Sequence, residues 1–275
     1  MRWGLIGATV FVLAGCEDDA AVKQTEERIR TVDLARVEEL IEQDLEKHRA
    51  GVVKAASRLK PGFNVSDPAQ RESQMRVALR ILQQPKRGID EFVASPMSFL
   101  AVLDVDGVVI ARDRSPDRMK GQDYKERFSV VQEALGGSTA TGLGEFFAED
   151  PSEPSSWSIL FAAPAVEGSR VVGIVLAGIP LSRLAQRLSR QLRVEQAQGD
   201  PVWVYLYKGD RVFHWDTPPL IDELVPSAER RAKVLAASPS GYTDKVRLQG
   251  ELEAYGVFPI RLLGPDVGTV IFRSP

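Results

Sequence analysis

Cysteine is almost missing from these 275 residues, with Cys16 the only one. A single thiol excludes an internal disulfide and a thiolate metal cluster, even in an oxidising compartment. Histidine is nearly as scarce, with His48 and His214 alone. That removes most zinc and hydrolase chemistry, which needs several ligands or a paired base. Long apolar runs are also absent. Trp3 to Leu13 covers about eleven residues, whereas a helical membrane span needs roughly 20; the run VVGIVLAGI, Val171 to Ile179, fits a buried strand. There is no excess of positive charge either, and a net charge of −3 argues against a nucleic-acid partner. What remains is a hydrophobic content of 44%, enough for a core in a chain of one large or two small domains.

The N-terminus has the physical make-up of a secretory signal: Arg2, then the short apolar segment, then the small residues Ala14 and Gly15. Leu13-Ala14-Gly15-Cys16 resembles the lipobox of bacterial lipoproteins. The resemblance implies cleavage after residue 15 and lipidation of Cys16, with palmitate among the acyl groups. One acyl chain binds a bilayer only marginally, but two or three would hold the protein on a membrane surface without a span. The expected location is the cell envelope, outside the cytoplasm. Glu17, Asp18 and Asp19 leave the inner and outer membranes as alternatives.

From Ala21 to Leu59 the chain is rich in Glu, Arg, Lys and Leu, and lacks proline. Its apolar residues recur every three or four positions, the period of a long amphipathic helix, which Pro61-Gly62 should end. His48 is expected on its solvated, charged side. A second helix should begin at the cap Asp67-Pro68 and run to about Gln84. The period then changes to that of strands. SFLAVLDVDGVVIARD reads as a hairpin turning at Asp106-Gly107, and lacks the later ligands that a calcium loop would need. A short helix over Tyr124 to Leu135 follows, then strands near Thr139 to Glu145, Trp157 to Val166 and Arg170 to Ile179. Helical spacing returns over Leu181 to Gln198. A smaller set repeats the scheme: a hairpin around Lys208-Gly209-Asp210, a helix over Ser227 to Ala237, and three more strands. The fold class is α+β, with a long N-terminal helix and two antiparallel-sheet modules. The implied divisions are 1–15 (signal peptide), 16–60 (tether and long helix), 61–182 (first module), 183–200 (connecting helix) and 201–275 (second, smaller module).

FLAVLDVDGVVIARD, KGQDYKERFSVVQEALGG and ILFAAPAVEGSRVVGIVLAGIPLSRL, in that order, resemble the double-Cache domain, a tandem PAS-like extracytoplasmic sensor module of bacterial chemoreceptors and sensor kinases. The resemblance implies a small ligand on the first, membrane-distal module, and a membrane-proximal second one. Arg127 lies where many members place an arginine that reads a carboxylate, a task suited to the planar fork of a guanidinium. Tyr124, Trp157, Phe128, Phe161 and Arg112 are the other candidate ligand contacts, aromatic walls with a few polar groups being typical of small-ligand sites. The amino-acid-binding branch would also carry a tyrosine at Gln122, a tryptophan and tyrosine at Ser129 and Val130, and an aspartate at Gly178. Those departures argue against recognition of free amino acids by that scheme. His214-Trp215-Asp216 has too few ligands for a metal site and is expected to be a strand-end cluster.

No catalytic residue, cofactor or metal is expected. The chain stops at Pro275 without an output domain, so the leading expectation is a lipid-anchored ligand-binding or sensory protein acting through an envelope partner. The alternative is a structural or assembly lipoprotein that uses the fold as a scaffold without a ligand.

Overall fold

The computed structural model describes residues 14–93, 95–147, 155–195, 201–215 and 217–275. The signal peptide expected over residues 1–15 lies outside them apart from its last two residues, and of Cys16 only the backbone is described. Most of the loop FFAEDPSEPSS and Asp216 also lie outside.

The long helix is present, with two departures from expectation. It runs as α1 (Ala14–Arg28), a π-helical turn (Ile29–Asp33) and α2 (Leu34–Phe63). Pro61 does not stop it but sits inside its last turn, two residues before its end. The buried positions Thr25, Ile29, Asp33, Val37 and Ile41 recur in steps of four. Each such step overshoots an ideal α-helical turn by about 40°. The wider π turn takes up that overshoot and keeps the stripe on one face.

His48 belongs to this stripe and is fully buried, not solvated. It stands seven residues after Ile41 and four before Val52, both also buried, so the 3.6-residue period outweighs its charged sequence neighbours. Its Nδ1 lies 2.6 Å from the Asp44 carbonyl oxygen, and its Nε2 meets the Ser95 hydroxyl. A carbonyl can only accept, so Nδ1 carries the proton and Nε2 accepts from Ser95. Burial pushes the His48 pKa below its ordinary value.

After α3 (Pro68–Ile81), capped by the Asp67 carboxylate accepting from the Gln70 amide at 2.6 Å, the strands begin. The first sheet holds β1 (Phe99–Leu103), β2 (Val109–Arg112), β3 (Ala140–Phe146), β4 (Ser156–Glu167) and β5 (Arg170–Pro180), with α4 (Ser129–Leu135) between β2 and β3. Its order is β2-β1-β5-β4-β3, antiparallel throughout. Pro164 is tolerated within β4 because β3 pairs only as far as Ala162, leaving that side free of a ladder. Both faces of the sheet are covered. Val130, Val131 and Ala134 of α4 pack with Leu160, Ala162, Ile174 and Leu176 on one face. On the other, His48 lies against Phe161, ring centroids 5.4 Å apart, and the Phe63 ring fills the space a side chain at Gly173 would need. This explains why β1, β4 and β5 read as nearly unbroken apolar runs.

α5 (Leu181–Val194) leads to the second sheet, built from β6 (Val202–Lys208), β7 (Arg211–Phe213), β8 (Tyr242–Leu248), β9 (Glu251–Pro259) and β10 (Val267–Arg273). Between β7 and β8 lie the single turn α6 (Pro219–Asp222) and α7 (Ala228–Ala237). The order β7-β6-β10-β9-β8 repeats the first sheet position by position. The helical segment before Glu38 packs here: Ile29 closes over Gly256, and Asp33 forms a buried ion pair of 3.1 Å with Arg273 of β10. The chain groups into two compact units, Glu39–Arg187 and the segment ending at Glu38 with Leu188–Pro275.

Candidate functional site

The first unit contains a cleft of about 270 Å³ at the start of β1 and the end of β5. Its walls are set by the segment between β2 and α4, and two aspartates pin that segment. Asp113, buried just after β2, accepts the Leu100 amide at 3.1 Å and the Gln83 side-chain amide at 2.9 Å. Asp117 accepts the amides of Met119 and Lys120, each at 3.1 Å, and that of Arg112 at 2.9 Å. Gly121 then adopts φ 76°, a left-handed conformation that glycine takes without strain. This returns the chain alongside β2, where the Val109 amide donates to the Gln122 carbonyl at 3.0 Å. The Tyr124 amide donates to the Gly107 carbonyl at 3.0 Å, and the Phe128 amide to the Tyr124 carbonyl at 3.0 Å. Tyr124, Arg127 and Phe128 are thereby presented from a short turn. The helix expected from Tyr124 starts only at Ser129.

Arg127 lines the cleft. Its Nη2 donates to the Glu145 carbonyl at 2.6 Å, and its Cζ lies 4.9–5.9 Å from the rings of Tyr124, Phe128, Phe146 and Phe147. Four ring faces suit a guanidinium, since each presents negative quadrupole to the cation. Its Nε is buried without a hydrogen-bond partner; Nε of Arg112 makes no hydrogen bond either but lies 4.0 Å from the Asp113 carboxylate, and Arg112 lines the cleft with Arg118. No carboxylate side chain occurs among the described residues that line it. A buried donor left unpaired costs roughly 1–3 kcal/mol. The unpaired Arg127 donor and three arginines, with no acidic side chain among the described lining residues, make the cleft suited to an anion. The Tyr124 phenol is pushed above its ordinary pKa by burial, so it remains a donor, and it bonds to Gln122 at 3.1 Å.

Of the candidate contacts, Arg112, Tyr124 and Arg127 converge on the cleft. Phe128 stands behind it, in the core, and touches Tyr124 and Phe146 with ring centroids 5.0 and 5.1 Å away. Phe161 and Trp157 are not brought to it. Side chains alternate across a strand, and in β4 Ser156 and Ser158 line the cleft, so Trp157 and Phe161 point to the opposite face. Ser98, Phe99, Ser156 and Ser158 are lining residues that sequence reading missed. Their only signal was the parity of β1 and β4, blurred because both faces are apolar.

The position where the amino-acid-binding branch would bear an aspartate is Gly178, and the ring of Phe99 covers it. A Cβ at Gly178 would lie 2.2 Å from the ring of Phe99, its cross-strand partner. Val130, at another departure, is buried in the core. His214 does form a local cluster, its Nδ1 meeting the Thr217 hydroxyl and its Nε2 lying 3.6 Å from Asp222.

No protein-family model matches the chain, and no curated protein matches it in sequence. Among solved structures it is similar to an extracellular domain attributed to the histidine kinase rpHK1S-Z16, with a TM-score of 0.57 and 14% identity over 93% of this chain and 97% of that one. It is similar to the sensor domain of the V. cholerae histidine kinase DctB, with a TM-score of 0.53 and 13% identity over 94% and 98%. The sensory domain of the Campylobacter jejuni chemoreceptor Tlp3, solved with isoleucine, gives a TM-score of 0.56 and 12% identity over 96% and 98%. At these identities the likeness establishes the fold, which is the Cache-like fold expected from the sequence. No helix among the described residues is long and apolar enough to cross a membrane.

Proposed function

We propose that the chain is a non-catalytic, extracytoplasmic sensory module that binds a small organic anion in the cleft of its first unit. The observation that carries this reading is the buried Nε of Arg127, which has no hydrogen-bond partner, in a cleft that it lines together with Arg112 and Arg118 and that has no carboxylate among its described lining residues. A volume of about 270 Å³ lies near the lower end of small-ligand pockets, about 300–1,000 Å³, and fits a compact ligand. Gly178 supplies no carboxylate to grip an ammonium group, which weighs against a zwitterionic amino acid held that way, whatever related folds bind. An open, arginine-lined cleft weighs against the scaffold alternative.

Calorimetric titration of the full chain with acetate, succinate and putrescine tests the reading. At least one carboxylate should bind and putrescine should not. Arg127→Ala should weaken carboxylate binding by about tenfold to a hundredfold, the value of one charge-assisted contact. If neither carboxylate binds, or the variant binds as tightly as the parent, the anion reading fails.

The lipid anchor on Cys16 and an envelope partner belong to the same proposal. They are supported by the lipobox resemblance and by the sensor-type fold. Cys16→Ser should move the protein from the membrane to the soluble fraction, and crosslinking in membranes should capture a partner whose yield changes with the bound carboxylate.

A further inference from the structure

The second unit contains a cleft of its own, about 260 Å³, under α7 at the end of β6 and the start of β10. One wall is apolar, formed by Ala228, Ala232 and Leu235 of α7 with Val267. The polar element is Arg231, only 3% exposed. Its Nη1 donates to the Pro226 carbonyl at 2.6 Å, and its Nη2 to those of Gly209 at 2.9 Å and Asp210 at 3.4 Å. Its Cζ lies 4.7 Å from the Tyr207 ring centroid. A guanidinium has five N–H donors, and these three bonds leave two uncommitted. One is on Nε, which is buried without a partner.

Among the described residues Arg231 has no carboxylate within ion-pair distance. Buried arginines are ordinarily paired, because desolvating the charge is expensive. Three carbonyl dipoles hold this one in place without neutralising it. Asp266 at the rim does not serve: it is engaged by Lys208 at 3.2 Å. Tyr207 also lines the cleft, its hydroxyl 3.4 Å from the Phe258 carbonyl. At that length the bond is weak, and the hydroxyl can turn to a better acceptor.

We infer that the cleft beneath α7 is a second binding site, for a small carboxylate with an apolar tail, its anionic end on Arg231 and Tyr207 and its tail along α7. The site is independent of the cleft at Arg127 and differs from it in kind. There the arginines face serines and aromatic rings; here one cation stands beside an aliphatic wall.

The test uses the full chain and trifluorobutyrate, followed by fluorine NMR, with trifluoroethylamine as the cationic control. The carboxylate should bind saturably and the amine should not. Binding at this site should persist in Arg127→Ala, which keeps it distinct from the first cleft. Arg231→Gln should weaken it about tenfold or more, the loss of a charge-assisted bond. Arg231 also ties three carbonyls, so Ala228→Phe provides a second variant that fills the cleft and leaves the guanidinium alone. It should abolish binding with no loss of melting temperature. The inference is overturned if wild-type protein does not bind the probe, if the amine binds equally, if Arg127→Ala removes all binding, or if Ala228→Phe binds normally.

Discussion

In the first unit the cleft is lined by the first residue of β1, Phe99, and the last of β5, Pro180; in the second, by the late β6 residue Tyr207 and the first residue of β10, Val267. The strand order is the same in both sheets, yet the clefts sit at opposite ends of equivalent strands. A second shared device underlines the contrast. Each cleft has a strand glycine covered by the aromatic ring of its cross-strand partner, Gly178 by Phe99 and Gly268 by Tyr207. Such pairs restore packing that a bare glycine lacks. The shared topology fixes the sheet and this pairing, while the connection after the first hairpin decides which end becomes a site. In the first unit that connection is pinned by Asp113 and Asp117 and brings arginines to one end. In the second it carries α6 and α7 and brings Arg231 to the other.

The largest difference between the units should appear on breaking their helix-borne ion pairs. Asp33 and Arg273 are both 2% exposed at the side chain. Asp33→Ala removes the carboxylate from a buried ion pair and should destabilise the second unit by about 3–5 kcal/mol. In the first unit Arg187, paired with Asp44 at 2.7 Å, is 32% exposed and can turn to water, so Asp44→Ala should cost only about 1 kcal/mol. Segment-resolved hydrogen exchange in urea would measure both. Equal losses would break the comparison.

The glycine pairs should separate next. A Cβ at Gly268 would meet the Phe258 carbonyl oxygen at 2.4 Å as well as the Tyr207 ring, and backbone cannot step aside. Gly268→Ala should therefore cost about 1–3 kcal/mol. Gly178→Ala meets only the Phe99 ring, at 2.2 Å, which can swing into the adjoining cleft. It should cost less stability but weaken carboxylate binding, and a calorimetric titration of the two variants would sort the effects.

The smallest effects should come from pH, with opposite signs. The lowered pKa of His48 means that the unfolded state takes up a proton first as pH falls below about 6.5. Its contribution to the first unit is thus present above that pH and is lost towards the folded-state value. Burial raises one phenol in the first unit, Tyr124, and in the second those of Tyr205 and Tyr255, and that of Tyr207 to about 12. The unfolded tyrosines release protons near pH 10, so that stability is present below pH 10 and is lost as pH rises through the folded values. Unfolding midpoints followed separately for the two units, from pH 5 to 11, would check both directions.

Much of this architecture was legible in the sequence, because turns and strand periods are local properties. The turn at Asp106-Gly107, the Asp67-Pro68 cap and the hairpin around Lys208-Gly209-Asp210 emerged as read. Arg127, Tyr124 and Arg112 line one cleft. The failures arose where packing overrode sequence neighbours. His48 is flanked by Lys47 and Arg49, which hid its place on the buried stripe. In β4 both faces are apolar, so nothing local told Phe161 from Leu160. Arg231 sits in AERRAKVLAA, a run that reads as solvated; only tertiary packing shows which of its charges is enclosed.

The π turn at Ile29–Asp33 bears on how the chain tolerates changes in length. A π turn is a helix holding one residue more than its pitch requires, so this segment is the place where α1 and α2 can lose one. With Thr31 deleted, the buried positions that now step by four would step 4, 3, 4 and 4, close to the period of an unbroken α-helix. A deletion at Glu42 would instead turn everything beyond it by about 100° and carry His48 out of the core. Relatives of this chain should therefore gain or lose helix residues singly only around position 31, and elsewhere in whole turns.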